Sequence, residues 1–228
     1  MTIRAKLYAA IVLTILGPLA TTAVALHGMA QLGDRFDEVS ARARDEAIAR
    51  QVKFLVTAVN GWQTAYGYEG GDGGISRERY EASAADLEEE LAAAEGAFTD
   101  PRERGLLSQL EQEFDRFSAL DVTAYDALLA GDAQRTRQIL LGPELVRFEA
   151  MAATAERLAR YEEEVAAQAA ADFDQARDDA RRRLIAVALG AGIVILLLLV
   201  TAQDVARLAL EGERKGRDGP SDEETGSA

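Results

Sequence analysis

The chain contains no cysteine, which excludes disulfides and thiolate-held metals and fits an exported domain. Its single histidine, His27, lies at the edge of an apolar run, so one chain cannot assemble a multi-histidine metal site or a histidine-dependent triad within its folded middle. Lysine is confined to Lys6, Lys53 and Lys215, and the formal net charge is −14. That balance argues against nucleic acid, whose phosphates it repels. No phosphate loop, nucleophile elbow or HExxH motif is present, and no cofactor is implied. The chain does not read as an enzyme. Sustained period-two alternation is also missing, so no sheet is expected.

What the sequence does contain is two long apolar runs. Residues 184–202, LIAVALGAGIVILLLLVTA, carry no charge and are long enough to cross a hydrocarbon core, which takes about 20 helical residues. Residues 7–26 form a second run behind the basic start Arg4 and Lys6. The expected layout is a cytoplasmic N-terminus (1–6), a first span (7–26), a polar domain (27–183), a second span (184–202) and a short disordered cytoplasmic tail (203–228). An alternative for the first run is a cleaved signal, since Gly17-Pro18 is a candidate break and Ala23-Val24-Ala25 matches an A-x-A site. The positive-inside rule places the middle domain outside the cytoplasm. Arg181, Arg182 and Arg183 oppose that orientation, and snorkelling into lipid headgroups accounts for them.

Between the runs, apolar residues recur at spacings of three and four. One stripe is Leu32, Phe36, Val39, Ala43, then after a one-residue slip Ile48, Val52, Leu55, Val59, Trp62 and Tyr66. A second is Tyr80, Ala84, Leu87, Leu91, Ala94, Phe98, and a third Leu107, Leu110, Phe114, Phe117, Asp121, Ala124, Leu128. A fourth runs Leu145, Phe148, Ala152, Ala155, Leu158, then Val165, Ala169, Phe173. The punctuation falls between them: EGGDGG at 69–74, the helix start Asp100-Pro101, Gly131-Asp132 and Gly142-Pro143. These features predict an all-α fold, an antiparallel four-helix bundle whose first and last helices continue into the two membrane helices. Alanine fills many seam positions, so pairing into a homodimer is expected to add buried surface.

The layout and the stretch YDALLAGDAQRTRQILLGPELVRF (125–148) resemble the four-helix-bundle periplasmic sensor domain of methyl-accepting chemotaxis receptors. The resemblance covers about residues 1–202, and only about 26 follow. It stops short of a HAMP relay and signalling hairpin, so it implies a sensor module of the bacterial inner membrane that passes a helix shift inward through a membrane receptor or kinase-coupled partner. The other reading is a structural or accessory bundle with no ligand.

Ligand candidates gather at the expected loop end. Trp62 and Tyr68 would form an aromatic rim for a small-molecule ligand, with Asn60 and Gln63 as polar contacts. Packing in the seam is the plainer role for Trp62 and Tyr66. Arg135, Arg137 and Arg147 would hold a carboxylate, as the resemblance implies, with Arg50 and Lys53 as further candidates; a solvated face paired with Asp132 or Glu144 is the plainer role. Asp121 holds a seam position, as a register-setting polar residue or part of a buried polar site; a small rotation that leaves Leu120 inside instead is the plainer reading. The acidic triplets 88–90 and 162–164 are read as solvated faces, because three consecutive helical residues diverge.

Overall fold

The computed structural model describes residues 3–217. It is all-α, with no strand among the described residues. In chain order the elements are α1 (Ile3–Glu69), α2 (Gly74–Ala97), α3 (Pro101–Leu129), the short α4 (Ala133–Ile139), one wide π-type turn (Leu140–Glu144) and α5 (Leu145–Arg217).

The element ends follow the expected chemistry. At the α1–α2 turn, Gly70, Gly71, Gly73 and Gly74 all have positive φ. Gly73 has no alternative: a Cβ there would lie 3.0 Å from Tyr66 Cβ and 3.1 Å from Arg77 Cβ. At α3, Asp100 Oδ1 accepts from Arg102 N at 2.7 Å while Glu103 Oε2 accepts from Asp100 N at 2.9 Å, a reciprocal capping box with proline at the first helical position. Asp132 caps α4 through Arg135 N at 2.9 Å. Pro143 cannot donate to an α-helical ladder, and the chain takes the wide turn there, with Gly142 outside helical geometry (φ −114°, ψ −105°).

Two compact units are present. The unit Arg35–Phe173 holds the core. Val52, Leu55, Val56, Val59 and Tyr66 of α1 meet Tyr80, Leu87 and Leu91 of α2, Leu107, Leu110, Phe114 and Phe117 of α3, and Met151, Ala155 and Leu158 of α5. Ion pairs on the surface join Lys53 to Glu156, and Arg50 to Glu163 at 3.7 Å, so α1 and α5 run in opposite directions here.

The other unit is Met1–Asp34 with Asp174–Ala228. Its helical segments expose apolar side chains, among them Ile15, Leu16 and Leu19 in α1 and Leu189, Ile193, Leu196, Leu197 and Leu199 in α5. Two helices are thus long and apolar enough to cross a membrane. Gly17-Pro18 does not interrupt α1, which passes through Pro18. The tail differs from expectation: 203–217 is helical, as the last part of α5, although its glycine-rich charged composition after 210 reads as disordered. Residues 218–228, the rest of that tail, lie outside the described residues.

Three expectations about helix phase are corrected. Asp121 is buried and Leu120 is only partly so, because the α3 stripe keeps its phase through Asp121. Trp62 is 39% exposed and Gln63 is buried in its place, since the α1 seam steps Val56, Val59, Gln63, Tyr66. Glu162 is also buried, four residues beyond Leu158 on the inner face of α5, while Glu163 and Glu164 face solvent.

Candidate functional site

The chemistry of the core sits in two buried polar layers. The first is built around Asp121 of α3. Its Oδ1 accepts from Tyr66 Oη and from Gln63 Nε2 (3.1 Å), and its Oδ2 accepts from Arg77 Nη1 at 2.8 Å. Arg77 also donates to Glu81 at 2.8 Å. Its guanidinium carbon lies 4.1 Å from the Tyr125 ring centre, 4.8 Å from Tyr80 and 5.2 Å from Tyr66. Three tyrosines from three helices therefore cage one cation, a geometry in which ring quadrupoles and the Asp121 charge act together. The tyrosines also meet edge to face, Tyr66 with Tyr80 at 5.7 Å and with Tyr125 at 5.8 Å. Tyr125 Oη donates to the Asp72 carbonyl at 3.1 Å, which ties the glycine-rich turn to α3.

Glu144, last residue of the wide turn, completes this layer. It is 1% exposed; one oxygen accepts from Gln63 Nε2 and the other, Oε2, has no hydrogen-bond partner. Burial, then the nearby Asp121 charge, push its carboxyl up to about 8. Burial and Asp121 likewise raise the Tyr66 and Tyr80 phenols well above their ordinary range. Burial works against the Arg77 charge, but the hydrogen bonds to Asp121 and Glu81 outweigh it and its pKa lies above the ordinary arginine value.

The second layer lies at the start of α3. Glu103 is fully buried; Oε1 accepts from Arg42 Nη1 at 3.0 Å and Oε2 serves the Asp100 cap. Arg42 also pairs with Asp45 at 3.6 Å. Burial raises the Asp45 carboxyl, with Glu103 adding to the rise and Arg42 opposing it. Beside them Glu162 is fully buried with both oxygens unpartnered. Burial, then Glu103 and Asp45, push it up to about 7.

The five residues singled out from sequence do not converge. Tyr68 is exposed at 67% near the end of α1, and Trp62 lies on the outer side of the seam. Arg135 and Arg137 are exposed; Arg137 lines a shallow open groove with Gln134, Gln138, Leu141 and Gly142. Arg147 pairs with Glu113 at 3.0 Å, and Arg116 holds the other Glu113 oxygen at 2.7 Å. No hydrogen bond, ion pair or ring contact joins any two of the five. Sequence reading missed Arg77 and Glu103, and it placed Glu144 on a solvated face, whereas Glu144 is buried. Glu103 stands four residues before Leu107 on the α3 stripe, a spacing that signals burial; Arg77 carries no such signal.

Among the described residues no group of three or more histidine, aspartate or glutamate side chains is placed to hold a metal ion. The class defined so far is an all-α protein with two apolar helices and an ionisable core. No protein family, no curated protein and no solved structure matches the chain.

Proposed function

We propose that the chain is a membrane-anchored sensory module: an antiparallel four-helix bundle outside the cytoplasm of a bacterial inner membrane, carried on two spans and similar in plan to chemoreceptor sensor domains. The observation that carries this reading is the Asp121 layer. It ties α1, α2 and α3 to the wide turn from which α5 departs, and α5 then continues as one helix through the most apolar stretch of the chain. A stimulus that changes the packing of this layer changes the seat of α5, and a helix transmits such a shift along its length. A small ligand would act only through its difference in affinity between the two packings. The exposed Arg137 groove and Tyr68 are the surfaces on which it would land. The bundle pairs as a homodimer, and output passes to a membrane receptor or kinase-coupled partner.

A second reading, an accessory bundle that binds nothing, is favoured by one observation: both Asp121 oxygens are supplied by donors of the protein itself. A thermal-shift screen of the full chain in detergent, against amino acids and organic acids, separates the two. A sensor shows a melting temperature that rises with ligand concentration. No response across a broad panel leaves the accessory reading. Protease applied to cells with a permeabilised outer membrane tests orientation: cleavage within 35–173 is expected, and protection until the inner membrane is lysed would overturn the outward-facing arrangement.

A further inference from the structure

Glu144 and Glu162 are eighteen residues apart, and so are Asp121 and Glu103, and Gln63 and Asp45. Eighteen residues make five helical turns, so on α1 and on α3 the two residues lie on one face, about 27 Å apart along the axis, while Glu144 closes the wide turn that leads into α5. The two polar layers are therefore the same construction repeated: an acid at the α5 end of the layer, an acid on α3, a polar residue on α1, and one arginine. In both layers the carboxyls outnumber the arginines. The apolar core, from Val52 to Val59 in α1 and from Leu107 to Phe117 in α3, separates them.

We propose that Glu144 and Glu162 are two buried proton-binding sites that couple proton uptake to the packing of the wide turn and α5 against α3. Each takes one proton from solvent and becomes a neutral carboxyl; each loses it to become a buried carboxylate. The groups facing Glu144 are Gln63 and Tyr66 from α1, Tyr80 from α2, and Asp121 from α3. Arg77 is already committed to Asp121 and Glu81, so nothing remains to balance a second negative charge. The groups facing Glu162 are Arg42 and Asp45 from α1 and Glu103 from α3, with Tyr161 beside it on α5. Arg42 is committed to Glu103 and Asp45. Three oxygens, Oε2 of Glu144 and both of Glu162, are sealed from solvent without a donor. An unpaired buried carboxylate is strongly disfavoured, whereas a protonated one is tolerated. Release of the proton at either site therefore drives the helices apart or admits water.

The sign follows. Both carboxyls sit above the ordinary glutamate value of 4.5, at about 8 for Glu144 and about 7 for Glu162. The folded chain binds these protons more tightly than the unfolded chain, so the stability these two groups contribute is full below the ordinary value of 4.5 and is lost as pH rises through about 7 and about 8. The inference rests on the buried geometry and goes beyond the sensory reading, since it would hold in an accessory bundle too.

The test uses the full chain in phospholipid nanodiscs. Infrared spectra at pH 6 should contain protonated-carboxyl bands that fade by pH 9, one removed by Glu144→Gln and the other by Glu162→Gln. The wild-type melting temperature should fall by about 5–10 °C over the same interval, and the double glutamine variant should lose most of that fall. Glu163→Gln, at an exposed neighbour, should leave it unchanged. Because the chain has no native cysteine, spin labels at Ser108→Cys and Arg160→Cys report the separation of α3 and α5 cleanly. Their distance should widen from pH 6 to pH 9 in the wild type and stay fixed in the double variant. Absence of substitution-sensitive carboxyl bands at pH 6 overturns the proton sites. Bands that titrate while the label distance stays constant overturn the coupling. Either failure leaves the sensory reading standing, because the ligand screen is a separate measurement.

Discussion

The Asp121 layer and the Glu103 layer hold acids at equivalent helical positions but stabilise them differently. Asp121 is surrounded by donors: a phenol, an amide and a guanidinium that is itself caged by tyrosines. Glu103 shares its single arginine with Asp45, uses its second oxygen to cap α3, and offers Glu162 an acceptor but no donor. The comparison shows two ways for an acid to occupy a core position. One is to satisfy it fully, as at Asp121 and Glu103; the other is to keep it protonated, as at Glu144 and Glu162.

The largest expected effect breaks the first arrangement. Asp121→Ala leaves Arg77, Tyr66 and Gln63 without their acceptor and should cost about 3–5 kcal/mol in denaturant titrations of the full chain. Glu162→Met should act in the opposite direction at pH 8, raising stability by about 1–3 kcal/mol, because it removes a carboxyl that has no donor. Glu144→Met should gain less, since Gln63 loses a partner. Next in size, Arg77→Lys keeps the charge but gives up the planar stacking on three rings, a loss of about 1–2 kcal/mol in the same titration. Arg42→Lys, at a site more open to solvent, should lose less. The smallest effect, about 1 kcal/mol, belongs to Asp100→Ala, which removes the cap acceptor from Arg102 N. Equal losses for the two Arg→Lys variants would remove the contrast drawn between the layers.

Helix ends were legible from sequence because they depend on local chemistry. Gly70 to Gly74, Asp100-Pro101 and Gly131 act through their own backbone and stand where an element ends or begins, and Gly142-Pro143 makes the kink that precedes α5. The α3 stripe was legible as a whole, since Leu107 to Leu128 keep one phase. The polar members of the core were not. Asp121 and Glu162 hold seam positions by spacing, yet charge alone suggests solvent, and only the partners decide. Those partners are far along the chain: Arg77 reaches Asp121 across 44 residues and Gln63 reaches Glu144 across 81. Trp62 shows the converse error, in which a large aromatic attracts the seam assignment while the helix phase gives the place to Gln63.

The wide turn at Leu140–Glu144 sets the angular phase of everything after it. Gly142 leaves helical geometry there (φ −114°, ψ −105°) and Pro143 cannot donate to the preceding turn, so the chain kinks and α5 starts afresh at Leu145. Removing one residue between the kink and Met151 would turn the face of α5 by about 100° and carry Met151, Ala155 and Leu158 away from the interior. A five-residue irregularity thus acts as the dial that points the longest helix of the protein inward.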